Sequence, residues 1–256
     1  MNAWKLAAAV AVVVLSACGA DGANGDKGLV RFSQLLNFEE TSDFSAPIAA
    51  RRTVLIQVEH ASPIGANLRQ QAFPELTLSV EGGTAATAHT FPMGFARWGV
   101  VIDDPGSYRL VAKRDGTALD SLSLTVGAIA TVRLADRVSV TTHSVNASGP
   151  ACASVEDTTL DQVTLRRNQT VQLIAVPLDG DGKAMVGLLS VTAKTSSPAV
   201  KLDLPLLMEG GTPNALLLSP GATLGATVDV TVHEEGAPEL TVTLPTADED
   251  APITCH

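Results

Sequence analysis

The groups in this chain that could do chemistry are few and scattered. Three thiols, Cys18, Cys152 and Cys255, and five imidazoles, His60, His89, His143, His233 and His256, are spread over 256 residues. A nucleophilic thiol needs a base beside it, and His143 and His256 do stand near Cys152 and Cys255 in sequence. The histidines lack the spacing of metal ligands, and no Gly-x-Ser-x-Gly elbow, phosphate loop, His-Glu-x-x-His or Cys-x-x-Cys pair occurs. Asp179-Gly180-Asp181-Gly182-Lys183 has the acid spacing with which a calcium loop begins, but the position that should carry the bidentate glutamate is Ser190. It therefore reads as a hairpin turn. Glu234-Glu235 and Asp248-Glu249-Asp250 read as solvated turns, and Arg51-Arg52 and Arg166-Arg167 as solvated strand edges. We expect no catalytic residue, no cofactor and no metal site.

The remaining chemistry is that of Cys18. Lys5 supplies one positive charge, an unbroken small and apolar run follows from Leu6 to Val14, and Leu15-Ser16-Ala17-Cys18 closes it. The run is too short to span a bilayer. Residues 1–18 resemble a bacterial lipoprotein signal peptide with its lipobox. The resemblance implies cleavage after residue 17, acylation of Cys18 and, with Gly19 rather than Asp next to it, sorting to the outer membrane of a bacterial cell envelope. An ordinary secretory leader would export the chain equally.

Export decides how the other two thiols read. In an oxidising compartment an even pair points to a Cys152–Cys255 disulfide. Closing a loop of about 100 residues adds roughly 4–5 kcal/mol on the chain-entropy model. The net charge of −10 repels phosphate backbones, and no Lys/Arg cluster reverses it locally, so nucleic acid is excluded as a partner. The membrane is reached through the lipid alone. Oligomeric state is not legible.

The elements that position these groups are strands. Residues 19–28 are small, polar and aperiodic, so residues 18–28 read as a flexible tether of roughly 15–20 Å. Thereafter apolar and polar residues alternate: Val54-Ile56-Val58, Leu76-Leu78-Val80 and Leu122-Leu124-Val126 are separated by turn signals at Ser62-Pro63, Gly82-Gly83, Pro105-Gly106 and Asp115-Gly116. Asn67 to Ala72 has room for a helical turn or two. Short strands at this spacing make a sandwich or barrel, with a core of Val, Leu, Ile and Ala because aromatics are only 4% of the chain. Asp104-Pro105-Gly106-Ser107-Tyr108 resembles the tyrosine corner of Ig-like domains, which implies a buried Tyr108 whose hydroxyl bonds upstream backbone, with Leu110 and Ala112 facing inward.

Alternation lapses over residues 141–151, placing a linker there between sandwiches at 29–140 and 152–256. The second half echoes the first at about 117 residues: Arg51-Arg52-Thr53-Val54 with Arg167 to Val171, Pro105-Gly106 with Pro220-Gly221, and Leu122 to Val126 with Leu240 to Leu244. Val163-Thr164-Leu165, Thr170 to Leu173, Asp179 to Lys183, Val191-Thr192-Ala193, Ser196 to Val200, Pro220-Gly221 and Leu240 to Leu244 follow the order of bacterial Ig-like group 2 domains, the intimin and invasin kind. Residues 158–245 resemble that family. Ala193 stands where the family has Trp, so this core must be filled differently.

The expectation is thus an all-β chain of two tandem Ig-like β-sandwiches behind a cleaved lipoprotein signal. Such a chain serves as a non-catalytic structural, adhesive or protein-binding module, with its protein partner in the envelope or outside the cell. The alternatives are a carbohydrate-binding module, which needs exposed aromatic platforms such as Trp98, and an accessory subunit of an envelope enzyme. If Cys18 is the anchor, Cys18→Ala releases the protein into the soluble exported fraction or leaves unprocessed precursor. Normal processing with persistent pelleting after a high-salt wash would contradict it.

Overall fold

A computed structural model describes residues 25, 27, 29–36, 39–60, 76–83, 88–94, 97–144, 152–204, 214–221 and 223–253. Cys18, Cys255, the signal peptide, the 61–75 connection and residues 145–151 of the expected linker lie outside them. The chain forms two units, Met1–Gly127 and Ala128–His256. Among the described residues no helix is long and apolar enough to cross a membrane.

The first unit contains β1 (Val30–Leu36), β2 (Glu39–Thr41), β3 (Ile48–Ala49), β4 (Val54–His60), β5 (Leu76–Glu81), β6 (Ala88–Gly94), β7 (Arg97–Ile102), β8 (Gly106–Arg114) and β9 (Thr117–Gly127). They form two sheets, β2-β1-β4-β7-β6 and β3-β9-β8-β5. Neighbours are antiparallel except β3, which runs parallel to β9. Four strands, β1-β4-β7-β6, thus stand in the A-B-E-D order and three, β9-β8-β5, in the G-F-C order, which is the Ig-like sandwich. Alternation drives this. Val54, Ile56 and Val58 on one sheet and Leu122, Leu124 and Val126 on the other are buried, with Phe32, Ile102 and Trp98 adding bulk. Tyr108, Leu110 and Ala112 are buried along β8 while Arg109 is exposed. The β8–β9 hairpin turns on Asp115 (φ 49°) and Gly116 (φ 75°), the two positive φ angles that a two-residue primed turn requires.

The second unit repeats the path with β11 (Arg137–His143), β12 (Ala153–Thr159), β13 (Leu165–Arg166), β14 (Gln169–Leu178), β15 (Thr192–Thr195), β16 (Val200–Asp203), β17 (Ala215–Pro220), β18 (Thr227–His233) and β19 (Leu240–Ala247). Its sheets are β12-β11-β14-β17-β16 and β13-β19-β18-β15, with β13 parallel to β19. An additional strand, β10 (Thr131–Leu134), pairs with the far end of β14. The core cluster is aliphatic throughout, built on Val138, Leu165, Val171, Leu173, Leu216, Leu218, Val230 and Leu244, and Ala193 packs against it. With Ala193 at this position, the core is filled by Val and Leu side chains.

Two expectations need correction. The domain boundary falls at Gly127/Ala128 instead of residues 141–151. Thr131–Leu134 and Ser139–Thr142 pair with β14, so residues 128–140 open the second sandwich and do not close the first, and residues 141–143 simply continue β11. Alternation identifies a strand without saying which sheet it joins. In sequence, residues 144–152 lie between β11 and β12. The repeat also holds unevenly. The Arg-containing segments both connect a short parallel strand to the long strand that follows it, β4 or β14, but Pro105 precedes β8 whereas Pro220 ends β17.

A fragment of residues 128–256 should therefore unfold as one cooperative unit, whereas residues 152–256 alone, lacking β11, should not fold. Cooperative thermal unfolding of the shorter fragment would refute the revised boundary.

Candidate functional site

The most concentrated polar chemistry lies where chain ends meet the sandwiches. Along β9 the pair Ala112–Asp120 follows Lys113–Ala118, so Leu119 is an extra residue that bulges the strand. The bulge puts Asp120 opposite buried Ala112, on the face of Leu122, Leu124 and Val126. An ionised carboxylate taken from water costs several kcal/mol unless its lone pairs are filled. Here four backbone N–H groups fill them. Oδ1 accepts from Lys27 at 2.9 Å and Ser121 at 2.8 Å, and Oδ2 accepts from Leu29 at 2.8 Å and Val30 at 3.0 Å. The Lys27 ammonium donates to the Ala118 carbonyl at 3.3 Å. Gly25 lies so close that a side-chain carbon there would collide with the Asp120 carboxyl group. The last residues of the expected tether are thus fastened to β9, which corrects the reading of residues 18–28 as free throughout.

The second unit fastens its other end. Asn168 is buried in the β13–β14 corner. Its amide nitrogen donates to the carbonyls of His143 (3.1 Å) and Ala251 (3.0 Å), and its oxygen accepts from the Ala251 N–H at 2.7 Å. The His143 N–H in turn donates to the Asn168 carbonyl at 2.8 Å. Beside this clamp Arg166 pairs with Glu249, and Arg167 lies 3.3 Å from Asp250 and 3.8 Å from Asp248. The Arg166-Arg167 pair and the Asp248–Asp250 run, read separately as solvated, meet each other. These half-exposed pairs each contribute only about 0–1 kcal/mol. Asn214, at φ 58°, acts similarly on an internal loop, donating to the Gly187 carbonyl (2.9 Å) and accepting from Leu189 N–H (2.7 Å).

The other candidates also bond backbone. Tyr108, 6% exposed, donates its hydroxyl to the Asp104 carbonyl at 3.0 Å. Asp179 Oδ1 accepts from the N–H groups of Asp181 (3.0 Å) and Lys183 (2.8 Å), the geometry of a tight turn. Glu235 is exposed but Glu234 is 1% exposed, which corrects the solvated reading for that residue. His143 Nε2 lies 3.3 Å from the Thr170 hydroxyl, and His89 and His233 are exposed. Cys152 is half-buried beside the β11–β12 hairpin. Trp98 is buried, while Phe91 on the outer face lies over Gly99, where it takes up the room of a side chain. Among the described residues no group of three or more His, Cys, Asp or Glu is placed to hold a metal ion.

Sequence reading missed Asp120, Asn168 and Asn214. For Asp120 the signal was present, since counting back from Val126 in steps of two lands on an acid at an inward position.

No family model and no curated protein matches this chain. Similar solved structures include FdeC, an Escherichia coli adhesin, at 15% identity and TM-score 0.31, with 87% of this chain and 65% of that one covered. Domains 5–6 of the S-layer protein SbsC match at 14% identity and TM-score 0.31, over 80% and 94% of the two chains. A glycosyl hydrolase family 2 member from Bacteroides cellulosilyticus matches at 11% identity and TM-score 0.29, over 84% of this chain and 28% of its own. The chain spans just under two thirds of the adhesin structure. At these TM-scores the likenesses carry no argument, and the Ig-like assignment rests on strand order.

Asp120→Ala should cost the first unit on the order of 3 kcal/mol, because charge-assisted bonds are lost and buried N–H groups are stranded. Tyr108→Phe should cost about 1 kcal/mol. Denaturant titration measures both, and an Asp120→Ala midpoint equal to wild type would show that the clamp contributes nothing.

Proposed function

We propose that this chain is a lipid-anchored protein of the bacterial cell envelope, held at the outer membrane through Cys18. Its two Ig-like sandwiches act there as a non-catalytic structural or protein-binding module. The observation that carries this reading is where four buried or half-buried polar side chains aim. Asp120, Asn168, Asn214 and Tyr108 each bond backbone and secure a segment, instead of converging on one hollow where a substrate could react. Tyr108 serves as the tyrosine corner: it is the third residue of β8, in the F position, and reaches four residues upstream. A carbohydrate module is less well supported, since buried Trp98 offers no platform.

The disulfide Cys152–Cys255 belongs to the same reading. Asn168 holds Ala251 beside His143, and His143 pairs with Ala153, the neighbour of Cys152. Cys255 lies four residue steps beyond Ala251, a reach of about 13 Å at roughly 3.3 Å per step, enough to close the bond. The bond then locks a tail that the Asn168 clamp has already laid in place.

Photocrosslinkers at the exposed positions Ser123 and Thr241 test the module in native membranes. Discrete adducts with envelope proteins are the expected result, and adducts with glycan alone would overturn it. Reduction should lower the unfolding temperature of the second unit and leave the first unchanged. Equal loss in both would contradict the pairing.

A further inference from the structure

We propose that β12 is a docking edge which takes an extended basic segment of another protein as an added antiparallel strand. This rests on the reading of the chain as a protein-binding module and names the surface and the partner's chemistry.

Hydrogen-bond parity shows which backbone groups are on offer. The Ser144 N–H donates to the Cys152 carbonyl and the Leu160 N–H to the Asp136 carbonyl, each at 2.9 Å. With the register running from Arg137–Thr159 to His143–Ala153, Ser154, Glu156 and Thr158 therefore direct their backbone groups to β11. Ala153, Val155, Asp157 and Thr159 turn theirs to the free side.

Exposed edges are normally blunted, and the other edges among the described residues are shorter than β12 or interrupted. β5, the edge beside β8, has six residues and its Leu78 carbonyl is already engaged by Thr90. β2 has three residues and β3 and β13 two each. β15 and β16 have four each. β6 carries Pro92 and a register shift, and the Thr90 hydroxyl reaches from β6 to the Leu78 carbonyl of β5 at 2.7 Å. β12 runs for seven residues in unbroken register without proline. At 65% exposure its Val155 exceeds the other exposed large apolar side chains among the described residues.

Charge selects the occupant. Asp157 is paired with Arg137 at 2.7 Å, whereas Glu156 is exposed and has no ion-pair partner among the described residues. Toward an added strand Glu156 occupies a non-hydrogen-bonded position, where facing Cα atoms approach to about 4.5 Å and side chains meet most closely. A second copy of β12 would bring further acids against Glu156 and Asp157, and like charges directly opposed are destabilising. A strand with Lys or Arg opposite Glu156 is accepted instead. The same acid thus rejects self-pairing and reads the partner.

The test uses the full exported protein with two synthetic peptides, one alternating threonine with lysine and one alternating threonine with glutamate. The lysine peptide should slow hydrogen exchange at the amides of Ala153, Val155, Asp157 and Thr159. Val155→Pro removes an outward N–H and leaves the β11 pairing intact, so it should weaken binding by about tenfold or more. Glu156→Lys should reverse the preference toward the glutamate peptide. This second arm decides the matter if Val155→Pro lowers the unfolding temperature of the second unit. Absence of protection at the four amides, unchanged preference in Glu156→Lys, or a concentration-dependent dimer mapped to β12 would overturn the proposal. Protein crosslinks formed in native membranes without peptide binding would leave the module standing and remove this edge, whereas loss of both would remove both readings.

Discussion

The first sandwich depends on a buried carboxylate that must be satisfied. Asp120 faces inward on β9, where a bare charge would be too costly to keep, and the entering chain supplies the N–H groups of Lys27, Leu29 and Val30. The dependence runs both ways. Those N–H groups precede or begin β1, and that of Val30, whose bond is buried, would be left unpaired without the carboxylate. The entry of the chain and the end of the last strand thus fix each other, and the β1–β4 register follows from where Val30 is held.

The second sandwich meets the same requirement with a neutral group, and the difference follows from what must be bonded. At the entry to the first unit only donors are presented, and an acceptor-only carboxylate suits them. At the exit from the second unit the tail offers both an N–H and a carbonyl at Ala251, with the His143 carbonyl nearby. An amide, which donates and accepts, matches that set. The flanking Arg166 and Arg167 add charge to the tail's acids at a half-exposed site, where geometry is gained more than energy. Both solutions satisfy the polar group without drawing on the apolar core. That suits cores with few aromatics, in which close packing of Val, Leu and Ile is the main source of stability.

Much of the fold was legible because alternation and turn chemistry are local. The runs at Val54, Leu76 and Leu122 became strands, Asp115-Gly116 became the hairpin turn, and Asp179 to Lys183 became a turn bonded to its own backbone. What escaped depends on long-range pairing. Val138 and Val140 continue the pattern of the first half, and only the pairing of Ser139 to Thr142 with β14 assigns their strand to the second. Arg166-Arg167 and Asp248 to Asp250 each look solvated alone, and a separation of more than 80 residues hides their meeting. Asn168 sits in what reads as a polar turn, and nothing in its neighbours announces a tail 83 residues away. Glu234 follows the same rule, since its burial comes from the fold around it and not from adjacent residues.

The central claim is that polar clamps close each sandwich onto its own chain end, and amide hydrogen exchange tests it most directly. The N–H groups of Leu29, Val30 and Ala251 lie at the ends of the two units, where unclamped backbone frays and exchanges almost as fast as free coil. The account predicts that Leu29 and Val30 exchange only with global opening of the first unit, and Ala251 only with that of the second. Exchange at all three at the rate of an unstructured peptide, with the core strands still protected, would contradict it.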